Sequence, residues 1–149
     1  MDLLPCNCSS LRSATRVLTA LYDDALRPSG LRTTQYSILS RLSKVGPITL
    51  NELADMLAMD RTTLGRNLRP LEREGLVQLA VGEVDKRERV VSLTRAGKAA
   101  LKRALPLWQE VHARFEEHFG AAESGRLRAL MQQVVSTGRE LSERYAVSE

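Results

Sequence analysis

The chain has 149 residues, 43% of them hydrophobic and 27% charged, which fits a globular fold of one domain or two small units around a shared core. Its 22 basic and 18 acidic side chains leave a net charge of only +4, so where the charge lies matters more than its sum. Aromatic residues make up 4% and no apolar run nears the ~18 residues of a membrane span, which argues against a stacking platform for single strands and against a transmembrane protein.

The opening "MDLLPCNCSS" has neither a basic region nor a long apolar segment, so no secretion signal is expected. A cytoplasmic, reducing location follows as an expectation, in which Cys6 and Cys8 need not pair. Leu11, Ala14, Leu18, Leu21, Tyr22 and Ala25 recur with helical rhythm over 8–26, until "RPSG" breaks it. A second helix is expected over 34–43, with Tyr36, Ile38, Leu39 and Leu42 inward, and "VGPIT" ends it. Leu50, Leu53, Ala54 and Leu57 mark a third helix. A fourth begins near Asp60, a suitable N-cap, and stops at Gly75. The runs "LVQLAV" and "RVVSLT" have strand character, and the charged "GEVDKRE" between them reads as a hairpin tip. Two longer helices, joined near Gly120, complete the chain, with Pro106 expected to bend or interrupt the first of them.

The fourth helix divides its chemistry sharply. Leu64, Leu68 and Leu71 fall on one side, and Thr62, Arg66, Arg69 and Arg73 on the other. Like charges at this spacing repel one another, so an anionic partner would relieve them, although Glu72 and Glu74 soften the effect. A short connection, "AMD", joins this helix to the one before. That is the layout of a helix-turn-helix whose second helix enters the DNA major groove. Arginine donates in a fork to guanine, and threonine meets a thymine methyl or a phosphate. Pro70 removes a backbone donor and is expected to bend the C-terminal half of the helix, leaving Arg69 and Arg73 to phosphates. In the hairpin tip, Arg87 is placed for the narrow minor groove, with Asp85 holding its pose. The plainer reading of both features is a solvated basic face and a solvated turn.

No phosphate loop, nucleophile elbow or metal-binding helix signature is present, so neither an enzyme nor a cofactor is expected. One Cys-x-Cys with His112 and His118 makes no recognisable metal-ligand set. A protein-interaction module that has lost DNA binding is the alternative, and the arginine ridge argues against it.

The segments "TLNELADMLAMDRTTLGRNLRPLEREGLV", "DKR" and "VSLTRAGKAAL" together resemble the MarR family of winged helix-turn-helix repressors, over nearly the whole chain. The resemblance implies a mainly α fold with a small β-hairpin wing, flanked by N- and C-terminal dimerisation helices. The corresponding divisions are 1–32, 33–94 and 95–149. It also implies a homodimer that binds double-stranded DNA at a near-palindromic operator and is released by a small-molecule effector or an oxidant. By position, Arg61, Thr62, Thr63, Arg66 and Arg69 fall on the recognition helix, and Asp85 and Arg87 on the wing.

For the signal, two routes stay open. Cys6 and Cys8 lie at the mouth of the first helix, where a thiol loses its proton more readily. In the organic-hydroperoxide-sensing branch of the family, the reactive cysteine and its tyrosine partner are spaced as Cys8 and Tyr22 are, and Tyr36 sits in a similar "QY" context. That branch has further tyrosines where this chain has Arg12 and Thr33, and Cys6 is too near Cys8 for an easy disulfide. The other route is a cavity for an aromatic or other small apolar anion, with Arg12, Arg16, Tyr36, Trp108 and His112 as candidate lining.

Overall fold

The structure is a computed structural model that describes residues 5–146. In chain order it comprises α1 (Asn7–Leu26), a 3₁₀ turn (Arg27–Ser29), α2 (Thr33–Val45), β1 (Ile48–Thr49), α3 (Leu50–Met56), α4 (Arg61–Arg73), β2 (Val77–Val81), β3 (Arg89–Leu93), α5 (Arg95–Phe119) and α6 (Ala121–Ala146). The three strands form one antiparallel sheet in the order β1-β3-β2. The described residues divide into two compact units, one up to Val111 and one from His112 onward.

Local chemistry explains most boundaries. Gly30 adopts a left-handed φ of 77°, and Ser29 donates from Oγ to the Leu26 carbonyl at 2.6 Å, which turns the chain out of α1. Asp23 on α1 then accepts from the Thr33 backbone N–H at 2.7 Å, so one helix supplies a cap for the next. Thr49 and Glu52 form a reciprocal capping box at the start of α3. Between α3 and α4 the turn needs a left-handed residue, and Ala58 takes that role at φ 51°.

The first unit holds one continuous core. Ile38, Leu39 and Leu42 of α2, Leu53 and Ala54 of α3, and Leu64, Leu68 and Leu71 of α4 are all buried, together with Val77, Val91 and Ala100 from the strands and α5. Burying such a leucine stabilises the fold by about 1.5–3 kcal/mol, so the leucine side of α4 is held firmly and its other side is left outward. In the second unit the end of α5 and α6 are joined by an Arg128–Glu116 ion pair at 2.8 Å, and Phe115 stacks on Phe119 at 5.2 Å. Leu130, Val134, Leu141 and Tyr145 stay exposed along α6.

Two expectations need correction. "VGPIT" does more than end α2, because Ile48 and Thr49 pair with Val91 and Val90 as a third strand. A two-residue strand carries no periodicity of its own, and only a partner some forty positions later in the chain makes it one. Pro106 does not interrupt its helix, since α5 runs unbroken from Arg95 to Phe119. Pro70 lies inside α4, which runs on to Arg73, as the expected helix from Asp60 to Gly75 requires. Each proline removes one helical hydrogen bond, but Lys102 and Arg66, whose carbonyls lose their donors, are exposed residues that water can reach.

Candidate nucleic-acid interface

The ridge is built from its cap upward. Asp60 accepts from the Thr63 backbone N–H at 2.8 Å and from the Thr63 hydroxyl at 2.7 Å, closing the first turn of α4. These bonds favour the charged carboxylate and hold Asp60 below its ordinary range, the Thr63 side-chain bond contributing most. The cap therefore supports the helix fully above the ordinary pKa of 3.8 and weakens only as pH falls through the lowered one. Thr63 spends its proton on the cap, which leaves its methyl group and lone pairs for an outside partner. Asn67 donates from its side chain to the Thr63 carbonyl at 2.9 Å.

Arg61, Thr62, Arg66, Arg69 and Arg73 are all exposed, while Leu64, Leu68 and Leu71 on the opposite side are at most 2% exposed. The division read from the sequence is thus the division between solvent and core. A basic surface backed by a packed helix presents guanidinium groups without any need for local rearrangement.

The wing shows the arrangement expected of its charged tip. Arg87 donates from Nε and from a terminal guanidinium nitrogen to the two Asp85 oxygens at 3.2 and 3.1 Å, and its backbone N–H reaches the same carboxylate at 2.9 Å. The guanidinium holds the Asp85 carboxyl below its ordinary range. Yet Arg87 remains 91% exposed, oriented but not covered. Gly82 makes the tip possible, because a Cβ there would lie 2.5 Å from the Asp85 carbonyl oxygen. Arg87→Ala should lower DNA affinity for all sequences about equally and make binding less salt-dependent, by ~1 in the log–log slope for each phosphate left without its arginine. Filter binding across a salt series checks this, and undiminished affinity would count against minor-groove insertion.

Arg61, Asp85 and Arg87 also line one hollow of about 220 Å³, together with Thr49, Asn51 and Arg89. The sequence reading missed those last three. Arg89 had a signal, as the basic first residue of a strand beside a charged tip. Thr49 and Asn51 had none, since only the folding of α3 against the wing brings them there.

A separate cavity of about 510 Å³ lies among α1, α2 and Trp108. Tyr36 and Trp108 stack on one another at 5.7 Å, and burial pushes the Tyr36 phenol up from its ordinary value. Thr15, Thr19, Ser37, Arg41 and Lys44 also line the space. Tyr36 and Trp108 were expected here, whereas Arg12, Arg16 and His112 are not among the lining residues. Arg16 occupies another face of α1 and donates to Ser13 at 3.1 Å, and Arg12 lies a turn short of the first lining residue. His112 stands 3.5 Å from Glu116 in the second unit.

Cys6 and Cys8 are exposed thiols at the start of α1. Tyr22 lines the cavity, and α1 is one continuous helix. Cys8 and Tyr22 are thus separated by about 21 Å along the axis at ~1.5 Å per residue, so they cannot hydrogen-bond within one chain. Among the described residues no cluster of three or more His, Cys, Asp or Glu is placed to hold a metal ion.

A recognition helix with an outward basic ridge, a preceding helix joined by a tight turn, and a hairpin that follows define a winged helix-turn-helix. The pattern of the MarR family matches residues 29–88. An HTH-type transcriptional regulator of Bacillus subtilis, YwoH, is 31% identical over 83% of this chain and 92% of its own length. The crystal structure of the Mycobacterium tuberculosis transcriptional regulator MosR in complex with DNA is 39% identical, covers 91% of this chain and 97% of that one, and has a TM-score of 0.83. A mutant MarR of Escherichia coli complexed with operator DNA is 26% identical with a TM-score of 0.75, covering 85% and 91%. The chain belongs to the MarR family of transcriptional regulators.

Proposed function

We propose that this chain is a sequence-specific, double-stranded DNA-binding repressor that acts as a cytoplasmic homodimer on a near-palindromic operator. The observation that carries this reading is the exposed Thr62–Arg66–Arg69–Arg73 ridge on a capped, core-backed helix, in a chain 39% identical to a regulator solved with DNA. Residues 33–94 form the DNA-binding part, and the terminal helices supply the dimer layer. Val17 and Leu21 on α1, and Leu130, Val134, Leu141 and Tyr145 on α6, are apolar side chains open to solvent, which supports a twofold partner that covers them. Two recognition helices then meet half-sites about one turn, ~34–36 Å, apart. A mobility shift on the DNA flanking its own gene tests the reading. If a dimer neutralises roughly 6–10 phosphates, affinity falls ~10³–10⁵-fold between about 50 and 200 mM salt. A strictly monomeric chain that ignores this DNA at low salt would leave only the protein-interaction alternative.

Release is assigned first to a small effector in the cavity of α1 and α2. The stacked Tyr36–Trp108 pair offers an aromatic wall and Arg41 with Lys44 a basic border, a match for an aromatic or other small apolar anion. To shift the dimer from 1:99 to 99:1 in favour of release, that ligand must prefer the released form by ~5.5 kcal/mol.

Oxidation is the second reading, favoured by the exposure of both thiols at the head of α1. Cys8→Ser should then abolish peroxide-triggered release of DNA while basal binding is kept. A wild-type protein that stays bound under peroxide removes this reading.

A further inference from the structure

Gly65 stands in the middle of α4, and no contact among the described residues requires a glycine there. Its backbone is not left-handed, and a Cβ added there would meet no atom within 4 Å. Glycine weakens a helix interior relative to alanine, so a position with open space and ordinary helical geometry is where alanine serves the fold better. Gly125 and Gly138 on α6 share such open surroundings, and what sets Gly65 apart is its place among the exposed arginines of α4.

At about 100° per residue, Gly65 lies about 70° to one side of the centre of the Thr62–Arg66–Arg69–Arg73 ridge. Arg61 is one turn before it and Arg69 one turn after, both exposed and both on the same flank. Arg61 also borders the hollow shared with Arg87 and Arg89, so this flank faces the wing. In a helix lying in the major groove the ridge centre meets base edges, and the flanks meet the phosphate walls. Arg61 and Arg69 are about 12 Å apart along the axis, a gap that two long side chains can close around one phosphate.

We propose that Gly65 is the seat of a DNA backbone phosphate, which rests on the bare helix while Arg61 and Arg69 close on its oxygens from either side. The seat rests on the DNA-binding reading above and assigns a task within it. A methyl group at position 65 pushes the strand outward and lengthens both arginine contacts together. The phosphate holds the register, and Thr62 and Arg66 are left for the bases.

The test is Gly65→Ala and Gly65→Gln in the full-length protein, with thermal melting followed by titration of a duplex from the promoter of its own gene. Gly65→Ala should melt at the wild-type temperature or a few degrees above it, yet bind at least tenfold more weakly. Gly65→Gln should lose at least a hundredfold, and both losses should be the same on operator variants. Wild-type affinity in either variant overturns the seat while the DNA-binding reading stands. A lowered melting temperature in Gly65→Ala overturns it too, since the fold itself would then need the glycine. A loss confined to particular base pairs moves Gly65 to the base edges and overturns the phosphate assignment. If the wild-type chain does not bind this duplex even at low salt, the failure belongs to the function and not to the seat.

Discussion

Gly97→Ala should unfold far more easily than the native chain, with a melting temperature lower by roughly 10 °C, on the expectation of about 3 kcal/mol lost at ~2–4 °C per kcal/mol. Alanine ordinarily strengthens a helix over glycine, so the sign here has to come from packing. A Cβ on Gly97 would sit 2.0 Å from the Leu76 carbonyl oxygen and 2.7 Å from Leu93 Cδ1. The Leu93 methyl can rotate away, but the Leu76 backbone cannot. Leu76 donates to the Leu71 carbonyl at 2.8 Å and accepts from Thr94 N–H at 3.1 Å. Thr94 adds a hydroxyl bond to the Gly75 carbonyl at 2.6 Å, and accepts from Gly97 N–H at 3.0 Å. The end of α4, the root of the wing and the start of α5 are therefore fastened at one point, and a methyl there strains all three. Calorimetry or a circular-dichroism melt at fixed protein concentration checks the figure. A variant that melts with the wild type would mean that α5 starts farther from Leu76 than these distances state. Gly65 and Gly97 are both helical glycines, yet alanine should help the fold at one and wreck it at the other.

Arg66→Ala should leave the fold and the oligomer intact while operator affinity drops about 30-fold to 10⁴-fold. The range follows from roughly 1–3 kcal/mol for each bidentate arginine–guanine pair, taken twice because in the proposed homodimer both copies of the helix lose it. Arg66 is exposed and is not a member of the buried core, so little of the loss should come through stability. It lies at the middle of the ridge, between Thr62 one turn before and the Arg69–Arg73 pair after. Sequence preference should relax at one base pair of each half-site, unlike the even loss expected for Arg87 on the wing. Gel filtration with a mobility shift on operator variants separates the two effects. Undiminished binding by a correctly folded dimer would remove Arg66 from the DNA-facing surface.

Much of this molecule can be read from residue order alone. The leucines at 64, 68 and 71 against the arginines at 66, 69 and 73 settle which side of α4 is buried, because a 3.6-residue period leaves one stripe to the core and one to solvent. Asp60 and Gly75 mark the limits of that helix through capping chemistry that acts within a few residues. The Asp85–Arg87 clasp is equally local, with its two members two positions apart.

What lay beyond the sequence depends on partners distant in the chain. The strand at Ile48–Thr49 exists because Val90 and Val91 lie beside it, and Asn51 joins the wing hollow only after α3 has packed. Arg12 and Arg16 carry charge on α1 but do not line the cavity beside it, and His112 belongs to the other unit. The need for glycine at 97 was equally invisible, since it is imposed by a carbonyl from Leu76 on another element. Periodicity and capping are interactions among neighbours along one chain, and the sequence records them directly. Cavities, short strands and close approaches arise where separate elements meet, so only the packed fold decides them.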